Sequence, residues 1–597
     1  MRRTLVLALT VVALMGVVVP GAYAQAPAAP AAPTPTFKIT GFIDELVTYS
    51  NNTSNFDFDL HRKDYLFYGR TRGRFDIVGE YGKAKAVLGL ELDFAYGQTG
   101  TGNSNIATVQ GGATPNPAVG NAVAVMPGTD GSFGLNTDVR GILEIKWLYT
   151  EFELPYVPVP TVVRLGAQPF GAAASYKLAA YANGDFSGVN IVSTITPNVK
   201  LIGTYVAVQE MLVGRQQGTG TNFTQNGTTP VFGQNFLGVN PFQERGDDYA
   251  FIFAPEITPI RGLDLKPMAS YFIASGTTDG NARQGRGGIN ATSWFQNTCG
   301  GPGTPAYLNG PDCSGNNASG TWRKGIEENR FTMGMDARFR AGGFSLDPTV
   351  YYQFGNRSLV APTLASGAFP LQFLDAGVVP GKKYTSNLSA WFADIRAGYQ
   401  LGPLLLEAMG MFTTGNNARD TTLRTVKYYQ PLDTDTSYLA DWGGQLTQLG
   451  VDYLDAMLEG AGGSGGINYP GVDIGWDKYG RIQLGARGTY AWTPAFSTYL
   501  GVNEHWTVES VQKNAIPLAN AGLIPLFTGQ SAKNNSNYIG TELFAGLTWR
   551  FAPGLALDSA GGYMWTGPAL DAVTNPTQGA REAKNVYILT SRIRFSF

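Results

Sequence analysis

Asn585 to Phe597 reads N-V-Y-I-L-T-S-R-I-R-F-S-F. Taken in steps of two, Tyr587, Leu589, Ile593, Phe595 and Phe597 fall on one side, while Ile588, Thr590, Arg592, Arg594 and Ser596 fall on the other. That period is a strand's and not a helix's. An apolar face ending in aromatics and backed by arginines suits a wall with lipid on one side and water on the other.

A chain that stops on such a strand, at a terminal phenylalanine, resembles the Gram-negative outer-membrane β-barrel proteins, and among them the porins. The resemblance implies that Tyr587, Phe595 and Phe597 belong to an assembly signal for the barrel-assembly machinery. It further implies an outer-membrane location, lipid around the wall and small hydrophilic solutes as cargo. A homotrimer and a monomer both stay open.

The beginning of the chain agrees with export. Arg2 and Arg3, an apolar run from Leu5 to Val19, and Ala22-Tyr23-Ala24 before Gln25 form the three parts of a secretory signal peptide, so residues 1–24 are expected to be removed. Residues 25–36 are Ala/Pro-rich, cannot build a core, and read as an extended periplasmic tether. From Phe37 the pattern turns to strands, and residues 37–597 read as one barrel with no room for an N-terminal plug of the TonB-dependent kind. Past the signal no apolar run is long enough for a spanning helix. Charged residues make up only 15% of the chain, below the quarter usual for soluble domains, while Gly (77), Tyr (29) and Phe (33) are abundant. The formal net charge of -2 says little about partners.

The hairpin from Leu66 to Tyr96 defines the wall. Tyr68, Arg70, Arg72, Arg74 and Asp76 alternate with Phe67, Gly69, Thr71, Gly73, Phe75 and Ile77; then Lys83, Lys85, Glu91 and Asp93 alternate with Ala84, Ala86, Leu88, Leu90, Leu92 and Phe94. A cationic side chain in the lipid midplane costs roughly 2 to 4 kcal/mol, so three successive arginines there approach roughly 10. The charged face is therefore assigned to the lumen. The same alternation assigns Asp44, Arg140, Glu144, Lys146, Arg164, Asp336, Asp394, Arg396, Glu407, Arg481 and Arg487 to the channel lining. Between Asp138 and Glu153 the parity slips, which predicts a β-bulge near Trp147 to Thr150. Asp44, Glu91 and Asp93 are expected to stand opposite the arginine ladder of Arg70, Arg72 and Arg74. By analogy with general porins, the two sets would make a transverse field across an eyelet.

Punctuation gives the topology. Short Pro/Gly turns lie at 154–160, 196–198, 258–262, 341–343, 401–403, 493–494 and 552–554, and long Gly/Asn/Thr-rich segments separate them. The tally is an all-β, antiparallel up-and-down barrel of eighteen strands, with sixteen as the alternative because the strands near 184 and 247 are poorly patterned. Short turns face the periplasm and long loops the exterior. Cys299 and Cys313, the chain's two cysteines, are expected to form a loop disulfide.

No catalytic, metal or cofactor chemistry stands out. Gly462-Gly463-Ser464-Gly465-Gly466 matches a nucleophile elbow only as glycine low complexity, and His61 and His505 are the mature chain's two histidines. Asp433, Asp435 and Asp441 match no cation-binding motif. The expected function is a passive, weakly anion-favouring channel and not an enzyme. A substrate-specific channel, for sugars or organic acids, is the second reading, ahead of an adhesin or an outer-membrane enzyme.

Overall fold

The computed structural model describes residues 34–52, 65–95, 142–170, 180–182, 185–210, 247–276, 326–360, 383–416, 425–430, 432, 479–511, 536–569 and 582–597. The expected signal peptide, most of the tether, Arg140, His61, both cysteines, the glycine run and the three loop aspartates lie outside these residues.

Twenty β segments follow in order: β1 (Thr36–Asn51), β2 (Tyr65–Tyr81), β3 (Ala84–Ala95), β4 (Ile142–Glu153), β5 (Thr161–Pro169), β6 (Asp185–Thr196), β7 (Val199–Glu210), β8 (Asp247–Phe253), β9 (Glu256–Ile260), β10 (Leu263–Gly276), β11 (Ile326–Ala341), β12 (Phe344–Val360), β13 (Lys383–Leu401), β14 (Leu404–Thr413), β15 (Thr425–Val426), β16 (Arg481–Thr493), β17 (Phe496–Val511), β18 (Ser536–Ala552), β19 (Leu555–Thr566) and β20 (Val586–Ser596). β8 and β9 both pair with β7 and β10, and they form one wall strand interrupted at Ala254-Pro255. Proline has no N–H to give the ladder, which is why the pattern near 247 is weak in the sequence. β15 runs parallel to β13 at Asn387 and Leu388, above the end of β14. The remaining segments make an eighteen-stranded antiparallel wall, closed where β1 pairs with β20 from Phe42↔Ser596 to Asn51↔Tyr587. Gly41 and Phe597 exchange both backbone hydrogen bonds at 3.0 Å at the inner end of that seam.

The turns fall where Gly and Pro predict them. Gly342 and Gly402, with φ of 56° and 57°, take the left-handed backbone that tight hairpins require. Alternation sorts the wall as expected: Met333, Met335, Trp391, Ile395, Leu589 and Ile593 stand exposed on the outer face, while Thr332, Asp336, Ala390, Asp394 and Thr590 are buried on the inner one. Aromatics gather at both rims of the outer face, with Tyr49 against Tyr65 and Tyr587 at one end and Phe597 against Phe75 and Phe595 at the other. Such belts mark the two membrane interfaces.

The bulge in β4 sits one residue earlier than predicted. Gly89 pairs with Trp147 and Leu90 with Ile145, which leaves Lys146 as the extra residue. Ile145 and Leu148 point outward, whereas Trp147 turns in to donate from Nε1 to Asp76 Oδ1 at 2.9 Å. Gly89 permits this, because a Cβ there would lie 2.1 Å from the indole nitrogen.

Candidate functional site: the charged inner wall and two inward segments

Alternation points the wall's charges inward, and antiparallel register sets them opposite one another. On β2 and β3, Arg72 and Arg74 converge on Glu91, which is buried; Arg72 Nη2 lies 3.5 Å from Glu91 Oε1, and Arg74 donates through Nε and Nη2 to Oε2. The register places Arg72 beside Asp93 and Glu91 beside Glu144, but for Arg70, Asp93 and Glu144 the described structure fixes strand and register alone. Asp44, fully buried on β1, lies between Arg72 and Arg594 in register, and Arg594 grips it through Nη2 at 2.5 Å and Nε at 3.2 Å. Arg592 is 4.0 Å from the same carboxylate and donates to Asp558 at 3.0 Å. The sequence reading placed Arg592 and Arg594 on the inner face but left them out of the lining set.

The other expected lining residues that fall among the described ones occupy the same face. Lys146 pairs with Asp185 at 3.2 Å, Arg164 with Glu151 at 2.7 Å, and Arg487 with Glu407 at 2.7 Å. Asp394 lies 3.7 Å from Arg396, and Asp336 accepts from Thr349 at 2.8 Å. Arg481 opens β16 opposite Thr507, its backbone N–H donating to Thr413 Oγ1 at 2.8 Å. His505 is buried on the inner face of β17, 3.9 Å from Glu542.

Two segments that sequence reading left within loops turn inward and pack on β10 to β13. The first is Ala180 to Ala182, between β5 and β6. Tyr181 is fully buried, with its hydroxyl 2.7 Å from Ser270 Oγ. The second follows β15. Asn416 braces it, donating to Thr425 O at 2.9 Å and accepting from Lys427 N at 2.7 Å, and the chain then runs down the inner wall through Tyr428, Tyr429 and Gln430. Gln430 is tied to Gln353 of β12 by both backbone groups, at 2.7 and 2.8 Å. Its side-chain oxygen accepts from Arg330 Nη1 at 2.7 Å and Arg357 Nη2 at 2.5 Å. The two segments also hold each other. Tyr429 OH donates to Ala180 O at 2.9 Å, and Leu432 N donates to Tyr181 O at 2.7 Å. Together with Phe272, Tyr351 and Phe392 of the wall they form an apolar cluster inside the barrel. Burial raises the phenol pKa of Tyr429 well above its ordinary value and that of Tyr181 above it, so both stay neutral, and Tyr429 serves as a donor.

The sequence signal for the second segment is Y-Y-Q-P at 428–431, an aromatic pair in an otherwise Gly/Asp/Thr-rich loop. Nothing comparable marks its partner arginine at 357.

No protein-family model and no curated protein matches the chain. Solved structures do. Pseudomonas aeruginosa OccD3 (OpdP) aligns over 94% of this chain and 91% of its own, at 10% identity and a TM-score of 0.39. A BenF-like porin from Pseudomonas fluorescens Pf-5 aligns over 94% and 98%, at 9% identity and 0.40. Acinetobacter baumannii OccAB1 aligns over 94% and 97%, at 12% identity and 0.40. Likeness at this level transfers no residue's role. The assignment rests on the chain's own geometry: a closed wall, an apolar outer face between two aromatic belts, and a charged interior. On that geometry the chain is a closed eighteen-stranded β-barrel with the two-faced wall of a transmembrane barrel.

Proposed function

We propose that the protein is a passive channel for small hydrophilic solutes, weakly favouring anions, with its passage set beside residues 180–182 and 427–432. The observation that carries this reading is an eighteen-strand wall whose ionic side chains face a common interior, since barrels of this size enclose an aqueous lumen. Selection in such a pore comes from width and lining charge. The bias is weak because much of the ladder is matched: Glu91 faces Arg72 and Arg74, and Asp44 faces Arg594. Arg330 and Arg357 share one carboxylate, Glu328, and so leave positive charge in excess there.

A substrate-specific channel is the second reading. It is favoured by the two interlocked inward segments, which bring tyrosines and a glutamine to the inner wall. Single-channel recording in solute mixtures separates the two. A general channel passes sugars, amino acids and small acids by size alone, whereas a specific one shows current block saturating for a single class.

The same proposal assigns residues 1–24 to export, 25–36 to a tether, and Tyr587, Phe595 and Phe597 to recognition by the assembly machinery. Cys299 and Cys313 are proposed to be bonded to each other. Unreduced peptide mass spectrometry finding both thiols free would refute that bond.

A further inference from the structure

Where β11 meets β12, Glu328, Arg330 and Arg357 form a triad that is buried to within 1% of complete. Arg357 grips Glu328 Oε2 through Nε and Nη2, both at 2.6 Å, and Arg330 Nη1 lies 3.3 Å from Glu328 Oε1. Phe272 lies beneath the Arg330 guanidinium, 4.7 Å from its ring centre. The cross-strand neighbour of Arg330 on β12 is Gly355, so no side chain from that side stands over it.

Hydrogen bonding in this triad is lopsided. Among the described residues, Arg330 Nε and Nη2, Arg357 Nη1 and Gln430 Nε2 are buried donors with no acceptor, against a single unused acceptor, Glu328 Oε1; the Tyr428 hydroxyl also faces Arg357. Buried donors left unmatched are costly, and more so on charged groups. Nε and Nη2 are the side-on fork of the guanidinium, the edge that matches two oxygens of a planar oxyanion. Two guanidiniums against one carboxylate leave a surplus of one positive charge. The deficit is therefore of acceptors and of one negative charge.

We propose that Arg330, Arg357 and Gln430 form a binding site for a small planar monovalent oxyanion, held side-on by Arg330. The site lies behind residues 427–432, and its occupant completes the hydrogen bonding of the groups that hold this segment to the wall. Occupancy therefore tightens the docking of the segment. A halide supplies the charge but not the paired oxygens, and binds more weakly.

The test uses purified full-length protein and sodium nitrate as the probe, exchanged against sodium chloride at constant ionic strength in a carboxylate-free buffer. The readout is the midpoint of heat-induced barrel unfolding. For the wild type the midpoint should rise saturably with nitrate relative to Arg330→Gln, a comparison that removes the general salt effect. Glu328→Gln deletes the competing carboxylate and should move half-saturation to about tenfold lower nitrate, one adjacent charge contributing on the order of one decade. Gln430→Glu supplies a permanent internal anion and should abolish the nitrate response while raising the nitrate-free midpoint. If Arg330→Gln does not fold, the Glu328→Gln and Gln430→Glu variants still decide. A wild type with no saturable response, or a Gln430→Glu variant that keeps the wild-type response, overturns the proposal. A purely structural triad would change the midpoints of all three variants without changing their dependence on nitrate.

Discussion

Gln430 is uncharged, yet two guanidiniums converge on its oxygen. Hydrogen bonds to charged donors contribute about 1.5 to 3 kcal/mol each, so Gln430→Ala removes much of what holds residues 427–432 to the wall. The two backbone bonds to Gln353 remain. The expected outcome is a folded barrel whose single-channel conductance is higher or noisier than the wild type's; an unchanged trace contradicts the idea that this segment borders the passage. Tyr429 gives a pH test of the same contact. Burial favours its neutral form in the docked state, so below the ordinary tyrosine value both docked and released forms are protonated and pH has no leverage. Above about pH 10 only the released phenol ionises, and the docked state loses ground with each further unit. Conductance should stay flat with respect to this group at neutral pH and rise in strong alkali, and Tyr429→Phe should remove that rise.

β20 shows why an element can be legible in a sequence. Lipid on one side and water on the other impose a period of two, and Leu589 and Ile593 against Thr590 obey it in the fold. Phe597 packs against Phe75 and Phe595 at the inner rim. One such side chain contributes roughly 1.5 to 3 kcal/mol on burial, little beside a whole barrel. Its removal should therefore lower the amount of heat-modifiable barrel in cells far more than it alters the conductance of protein that does assemble; normal barrel levels would speak against an assembly signal. β4 was legible as a parity slip, but the bulge position was not, because it is set by an inward Trp147 lying over Gly89 rather than by local pattern. Gly89→Ala should displace the indole from Asp76 and destabilise the barrel by about 1 to 3 kcal/mol, the usual range for overpacking, as measured by its unfolding midpoint. Apart from the aromatic pair Tyr428-Tyr429, the inward segments left no signal in the sequence. A loop that folds back on a wall answers to contacts hundreds of residues away, such as Tyr429 with Ala180, and these leave no period in the sequence.

At the scale of the whole molecule, turn chemistry and alternation gave eighteen strands, and the fold has eighteen among the described residues. The broken strand at Pro255 is one of the two places, with the strand near 184, where that tally could have failed. The ionic interior carries the functional account, and the arginines of β2 are its most exposed claim. Arg74 faces the interior over Trp147 and Phe42, with Arg72 beside Glu91. Charges in a water-filled pore act over about 8 Å at physiological salt, so they bias ion flow only where the lumen is narrow. The most direct measurement is the reversal potential of single channels of the purified protein in a planar bilayer under a salt gradient. Wild-type protein is compared with the Arg70→Gln, Arg72→Gln, Arg74→Gln triple variant. The account predicts discrete conducting steps with a weak anion preference that moves toward cations in the triple variant; a barrel that does not conduct, or a reversal potential that the three substitutions leave in place, would contradict it.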